Sequence, residues 1–458
     1  MNTNQEPSTR KRERLGSYNP GRRTALVLCG TGAHGVYHAG VLRALHEAGV
    51  KIDLVAGQGV GAGGAALAAI GGSARTWEET GVWRSPRVAT LYEWKRAATV
   101  MPMVIAVLAF VLVATVVAVA LGLTVPRWWS ATLLIACASV VGLCGLLVWR
   151  HAAGPRRGNG RWWWRLLGAP IDAESARALF ASAIWDLIRG AAPATQPGRA
   201  ALGRRYTEVL LENLGQPGFA ELLLVATDLD ARHDVVAALL REPYRTDFVA
   251  PRAGRNRQAE ALDLAGVARD HAIDVLAAAL TPPLIAEPAL VTWAADSFWR
   301  GETHRMCDRA ASINRLLEEV AAAGATQVIV VSAVAPVPAP HMLRVPRMDP
   351  RSRLGDFHVT AEAAALRDAL EIARLRFDSV YGISPAHNPI GPFDVRGAYD
   401  EASDRRQDLS ELMARAYEDA YHQFIEPVVG ASGEQLAQAD PGPDDMRVPA
   451  GQDRLFGG

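Results

Sequence analysis

Residues 24–63, TALVLCGTGAHGVYHAGVLRALHEAGVKIDLVAGQGVGAG, leave few folds open. Residues 24–29 form a short apolar run stopped by glycine, the pattern of a strand buried on both faces. Gly30-Thr31-Gly32-Ala33-His34-Gly35 makes a tight turn, and residues 36–48 continue with Val41, Leu42 and Leu45 at helical spacing. A second strand at 52–56 leads into Gly57-Gln58-Gly59-Val60-Gly61 and a helix of small residues ending near Ile70. Two strand–turn–helix units in succession predict an α/β layered fold with a mostly parallel sheet. Ligands of such folds sit at the carboxyl ends of the strands, where both glycine turns lie.

Two readings fit this stretch. Gly30-x-Gly32-x-x-Gly35 matches a dinucleotide-binding fingerprint, with Asp53 about twenty residues on. That acidic residue belongs at the end of the second strand, however, whereas Asp53 stands at its beginning and a further glycine turn fills the end. The segment from Leu28 to Leu42 instead resembles the glycine-rich oxyanion loop and following helix of the patatin-like phospholipases. Gly57-Gln58-Gly59-Val60-Gly61 falls where that family carries its Gly-x-Ser-x-Gly nucleophile elbow, and the spacing between the two motifs is similar. The resemblance covers roughly residues 24–335 and implies a three-layer fold around a central, mostly parallel sheet.

This chain departs from the family at the position that matters most, because Gly59 stands where the serine belongs. The family's oxyanion-loop arginine reads as His34. A nucleophile elbow holds its residue in a strained turn, which glycine adopts freely, so the fold tolerates Gly59. Acyl transfer does not tolerate it, since no side-chain oxygen remains to form the acyl intermediate. Cys29, beside the loop, is read as a buried strand-end residue in preference to a substitute nucleophile. The resemblance further places the dyad aspartate at Asp296, in Ala294-Ala295-Asp296-Ser297, where the family has Asp-Gly-Gly or Asp-Gly-Ala. Ser297 in place of glycine is a second departure. Asp228, after the apolar strand 221–227, reads as a turn residue bonding its own backbone.

Charge and apolar patterning bound the rest. Lys plus Arg number 48 and Asp plus Glu 48, so the whole chain offers no electrostatic case for a nucleic-acid partner. The four cysteines show no metal spacing, and His34 and His38 lack a third ligand nearby; no metal and no cofactor are expected. Residues 101–123 and 131–149 are two uncharged runs, each long enough to cross a hydrocarbon core of about 30 Å. They predict a two-helix transmembrane hairpin interrupting the α/β domain. Lys95 and Arg96 precede it, and Arg150, Arg156, Arg157, Arg161 and Arg165 follow it, while the link carries only Arg127. This places both ends of the hairpin, the domain and both termini on the cytoplasmic side of the inner membrane.

The domain scheme is therefore a basic tail at 1–22, α/β segments at 23–98 and 151–335, the hairpin at 99–150, a C-terminal extension at 336–430 and a polar tail at 431–458. Residues 75–84 read as helix. The expected function is that of a membrane-anchored, catalytically impaired patatin-like protein acting through membrane lipid or an unidentified protein partner. The loop N–H groups from Gly30 to Gly35 would serve an anionic group. The alternatives are an active lipid acyl hydrolase in which Asp296 drives water against the loop, and a dinucleotide-binding domain.

Overall fold

The computed structural model describes residues 18–122, 168–250, 259–295, 297, 299–335, 350–386, 390–400 and 405–430, together with positions 138, 141, 142 and 145. At its centre are β1 (Thr24–Gly30), β2 (Leu54–Gly59), β3 (Glu221–Asp228) and β8 (Gln327–Ser332), in which every residue is buried. Such strands need cover on both faces, and their side chains divide by alternation. Leu26, Leu28, Val55, Leu222 and Leu224 enter one core; Ala25, Val27, Leu54, Leu223 and Val225 enter the other.

Helices α1 (Gly35–Glu47), α2 (Gly61–Ala69), α4 (Glu174–Arg189), α5 (Arg199–Asn213) and α6 (Ala272–Ala279) supply buried residues to the first core. Helices α7 (Ser312–Ala322) and α8 (Pro350–Arg376) cover the second. The sheet runs β5-β4-β3-β2-β1-β8-β9, with β4 at His233–Leu239, β5 at Ala259–Asp263 and β9 at Ser379–Ile383. β6 (Ala289–Thr292) and β7 (Thr303–Cys307) join it through β3. β3, β2, β1, β8 and β9 pair in parallel, while β4 and β7 run against β3. The expected α/β architecture with a mostly parallel sheet is present.

Two expectations need amending. Residues 73–84 form short turns at Ser73–Thr76 and Val82–Arg84 in place of a helix. The Gly81 N–H closes a turn onto the Glu78 carbonyl at 2.8 Å, and the buried Trp83 ring packs edge-on to Phe180. The two-span hairpin is not found: among the described residues no helix is long and apolar enough to cross a membrane. The first run falls largely in α3 (Arg96–Ala120), 25 residues in which Met103 and Phe110 are 70% and 74% exposed. The second run lies outside the described residues except for the four positions named above, so the pairing of two spans is not seen. The tails at 1–17 and 431–458, and 336–349 of the extension, also lie outside them.

The amino ends of β1 and β3 are locked by a buried ion pair. Arg23 donates to both Glu221 carboxylate oxygens at 2.8 and 2.7 Å, and its guanidinium lies 3.7 Å from the centre of the Tyr244 ring. Removing one charge strands the other away from water, a loss of about 3–5 kcal/mol. Glu221→Gln should lower Tm by at least ~5 °C. Thermal unfolding followed by circular dichroism tests this, and an unchanged Tm would show that water reaches Arg23.

Candidate functional site

β1 and β2 are parallel neighbours in a register that sets Gly30 opposite Gly59, so both glycine turns open at the same edge of the sheet. Gly59 has φ +61°, the left-handed conformation that a strained elbow imposes. The space around it is closed. A Cβ at position 59 would stand 2.2 Å from the Gly30 carbonyl oxygen and 2.9 Å from Asp308 Oδ2. The Val60 N–H, next after the nucleophile position, donates to that same Gly30 oxygen at 2.7 Å. In a working elbow this N–H faces the oxyanion.

The first turn is occupied as well. The Ala33 N–H donates to the Pro392 carbonyl at 2.7 Å. Gly32, at φ +60°, could not carry a side chain, because its Cβ would lie 2.0 Å from the Pro392 oxygen. His34 is fully buried, and its Nδ1 lies 3.2 Å from Glu362 Oε2 on α8. The alignment is poor: both His34 ring nitrogens and both Glu362 oxygens are buried without a well-formed hydrogen bond. Burial pushes the Glu362 carboxyl up, but His34, the Thr31 side chain and His358 together outweigh it and hold the group below its ordinary range.

His38, one turn along α1, hydrogen-bonds through Nε2 to the Cys29 carbonyl at 3.0 Å. A carbonyl only accepts, so Nε2 carries the proton. Burial lowers the His38 pKa to about 4, and the ring is neutral. The Cys29 thiol donates to the Val331 carbonyl at 3.3 Å, and burial pushes it up to about 12, so it is no nucleophile near neutral pH. Among the described residues no group of His, Cys, Asp and Glu side chains could hold a metal ion.

The carboxylate brought to the elbow is Asp308, directly after β7. Its Oδ1 accepts from Gln58 Nε2 at 2.5 Å and from the Arg309 N–H at 2.7 Å. Its own N–H is held by the Thr281 carbonyl at 2.8 Å. Asp296, placed in the base role from the sequence, lies outside the described residues. In the sequence alone Asp308 reads as the start of a helical stretch and not as a site residue. A signal did exist, since Asp308-Arg309-Ala310 follows a strand and keeps the Asp-x-Ala form with arginine at the glycine. Glu362 had no such signal; only tertiary packing brings α8 over His34. Asp228 is the expected turn residue, with Oδ1 accepting the N–H groups of Asp230 and Ala231 at 2.9 and 3.0 Å. Its Oδ2 also binds His304 Nδ1 at 2.5 Å, which was not expected.

The nucleotide-binding alternative fails on geometry. Asp53 precedes β2 at the end of the sheet remote from Gly30–Gly35, where it accepts the Thr24 N–H at 3.0 Å and pairs with Lys51. Gly32, which would admit a pyrophosphate, faces the Pro392 carbonyl.

The family model described as patatin-like phospholipase matches residues 26–250, which supports that family for this chain. Lysophospholipase nte1 of Emericella nidulans is 52% identical over 42 residues, 9% of this chain and 3% of that protein. Patatin-like phospholipase domain-containing protein 6 of Homo sapiens is 42% identical over 79 residues, 17% of this chain and 6% of that protein. The chain thus spans only a few per cent of the length of these curated relatives. Among solved structures, VipD from Legionella pneumophila aligns over 91% of this chain and 70% of that one, at 12% identity and a TM-score of 0.32. The type III effector ExoU aligns over 89% and 53%, at 15% identity and a TM-score of 0.27. Scores this low carry no argument.

Asp308 gives a pH signature. Burial, the largest influence, raises its pKa to about 7, well above the ordinary value of about 3.9. Between these values the folded chain keeps a proton that the unfolded chain has lost, so rising pH lowers stability until the folded group also ionises. Asp308→Asn removes this titration and keeps the shape. The Tm of the variant minus that of wild type should therefore be several degrees larger at pH 8 than at pH 5. An equal difference at both pH values would mean that Asp308 is ionised throughout.

Proposed function

We propose that this chain is a patatin-like domain that has lost ester hydrolysis and works by binding at a membrane. The observation that carries this reading is the closed elbow at Gly59. Acyl transfer needs a nucleophile, a base and free donors for the oxyanion. The nucleophile is missing, its Cβ position is blocked by the Gly30 carbonyl, and Val60 and Ala33 already spend their N–H groups on Gly30 and Pro392. Only the base-type carboxylate, Asp308, remains. Loss of a serine nucleophile costs about a million-fold in a measured protease. A carboxylate driving water recovers only about a hundred- to ten-thousand-fold, and here it would lack the donors as well.

Membrane lipid is the proposed partner, with a protein partner as a second occupant of the same surface. The two uncharged runs at 101–123 and 131–149, their flanking arginines and the exposed apolar side chains of α3 support this reading. In it, the insertion holds the domain against the cytoplasmic face of the inner membrane.

Purified protein in detergent, given short-chain aryl esters and mixed phospholipids, should show no turnover. Gly59→Ser alone should stay silent, since its Cβ meets the Gly30 oxygen. Turnover by wild type that is lost in Asp308→Ala or Asp296→Ala would refute the reading. In a separate measurement, the protein should stay with membranes through alkaline carbonate extraction; release into the supernatant would remove the anchor from the proposal.

A further inference from the structure

The C-terminal extension does more than cover the second face of the sheet. Pro392 places a carbonyl oxygen on the Ala33 N–H at 2.7 Å, the contact an acyl ligand's carbonyl would make there. Beside it, Ile390 and Phe393 are 1% and 2% exposed. The Phe393 ring stands edge-on to Tyr92 at 5.9 Å and to His358 of α8 at 5.7 Å. An oxygen acceptor flanked by buried apolar groups is the chemical outline of a bound acyl chain, supplied here by the polypeptide itself.

α8 and the 390–397 segment hold the site together. A Cβ on Gly355 of α8 would rest 3.4 Å from the Pro392 ring, and His358 packs on Phe393. One turn further along, Glu362 faces His34 in the glycine loop. These contacts are unequal in quality. The Pro392 bond is well formed and Phe393 is well packed, whereas the His34–Glu362 pair is buried with its polar atoms poorly satisfied. The strap is therefore pinned by its carbonyl and its aromatic ring.

We infer that α8 and residues 390–397 form an intramolecular strap that occupies the glycine loop as a ligand would, so that the loop becomes available only when Pro392 and Phe393 withdraw. This goes beyond the loss of hydrolysis and is read out separately from it. It also changes the expectation that the loop binds an anionic group directly, because in the closed state the chain itself holds the Ala33 donor.

Hydrogen exchange on the full-length protein in detergent tests the inference. In Phe393→Ala, the Ala33 amide and those of residues 393–397 should exchange at least tenfold faster than in wild type, with Val27 and Val330 in the sheet unchanged. His358→Ala should accelerate the same set, because it removes the ring that packs on Phe393. A fluorescent long-chain fatty acid should bind at least tenfold more tightly to either variant than to wild type. Should Phe393→Ala fail to fold, Phe393→Leu gives the same pattern at smaller amplitude. The inference is overturned if residues 393–397 loosen while Ala33 exchange stays at the wild-type rate. It is equally overturned if Ala33 is freed without any gain in fatty-acid binding. Ester turnover by wild type would bear on the proposed function alone, since these exchange rates do not depend on chemistry.

Discussion

The contact between the Gly30 carbonyl and the Val60 N–H organises the centre of this protein. Parallel pairing of β1 and β2 in the Gly30–Gly59 register brings the two turns to the same edge, and the absence of a side chain at 59 lets them close to 2.7 Å. Any Cβ at that position would force them apart. Glycine at 59 permits a backbone packing in which the Val60 N–H is satisfied internally. A buried amide that already has its hydrogen bond gains little from a ligand and must first lose what it has.

The groups around that contact make sense as a site turned inward. Asp308 lies against the elbow and hydrogen-bonds Gln58, with its pKa raised to about 7 by burial. His34 stands in the loop where the family resemblance implies an arginine, and Glu362 arrives from a helix more than three hundred residues further along the chain. His38 and Cys29, which invite a catalytic reading when seen as letters, are a neutral ring and an inert thiol, each bonded to a neighbouring carbonyl. Burial sets the state of Asp308, His38 and Cys29, and burial is a property of the packed molecule.

Much of the architecture was legible because it rests on local rules. Apolar runs stopped by glycine gave β1 and β2, and an apolar run ending at Asp228 gave β3. The site was legible only where it is contiguous: the two glycine turns could be placed, and the substitution at Gly59 needs only the motif to be seen. Asp308 was obscured because only tertiary packing brings it to the elbow, and Asp228 gave no hint of His304. Residues 73–84 misled because Trp83 and Gly81 obey tertiary packing rather than helical spacing. Residues 101–123 are apolar enough to suggest a span, yet among the described residues no helix meets the length and apolarity a span requires.

The sequence by itself determined the layered α/β fold, the position of both turns and the glycine at position 59, because each depends on residue type and near-neighbour spacing. Only the tertiary structure decided that the elbow is sealed by the Gly30 carbonyl, that Pro392 holds the Ala33 donor, and that Asp308 and Glu362 are the carboxylates at the centre. Those facts join residues separated by tens to hundreds of positions. Their energies come from burial and from the close approach of backbone to backbone, which no local pattern encodes.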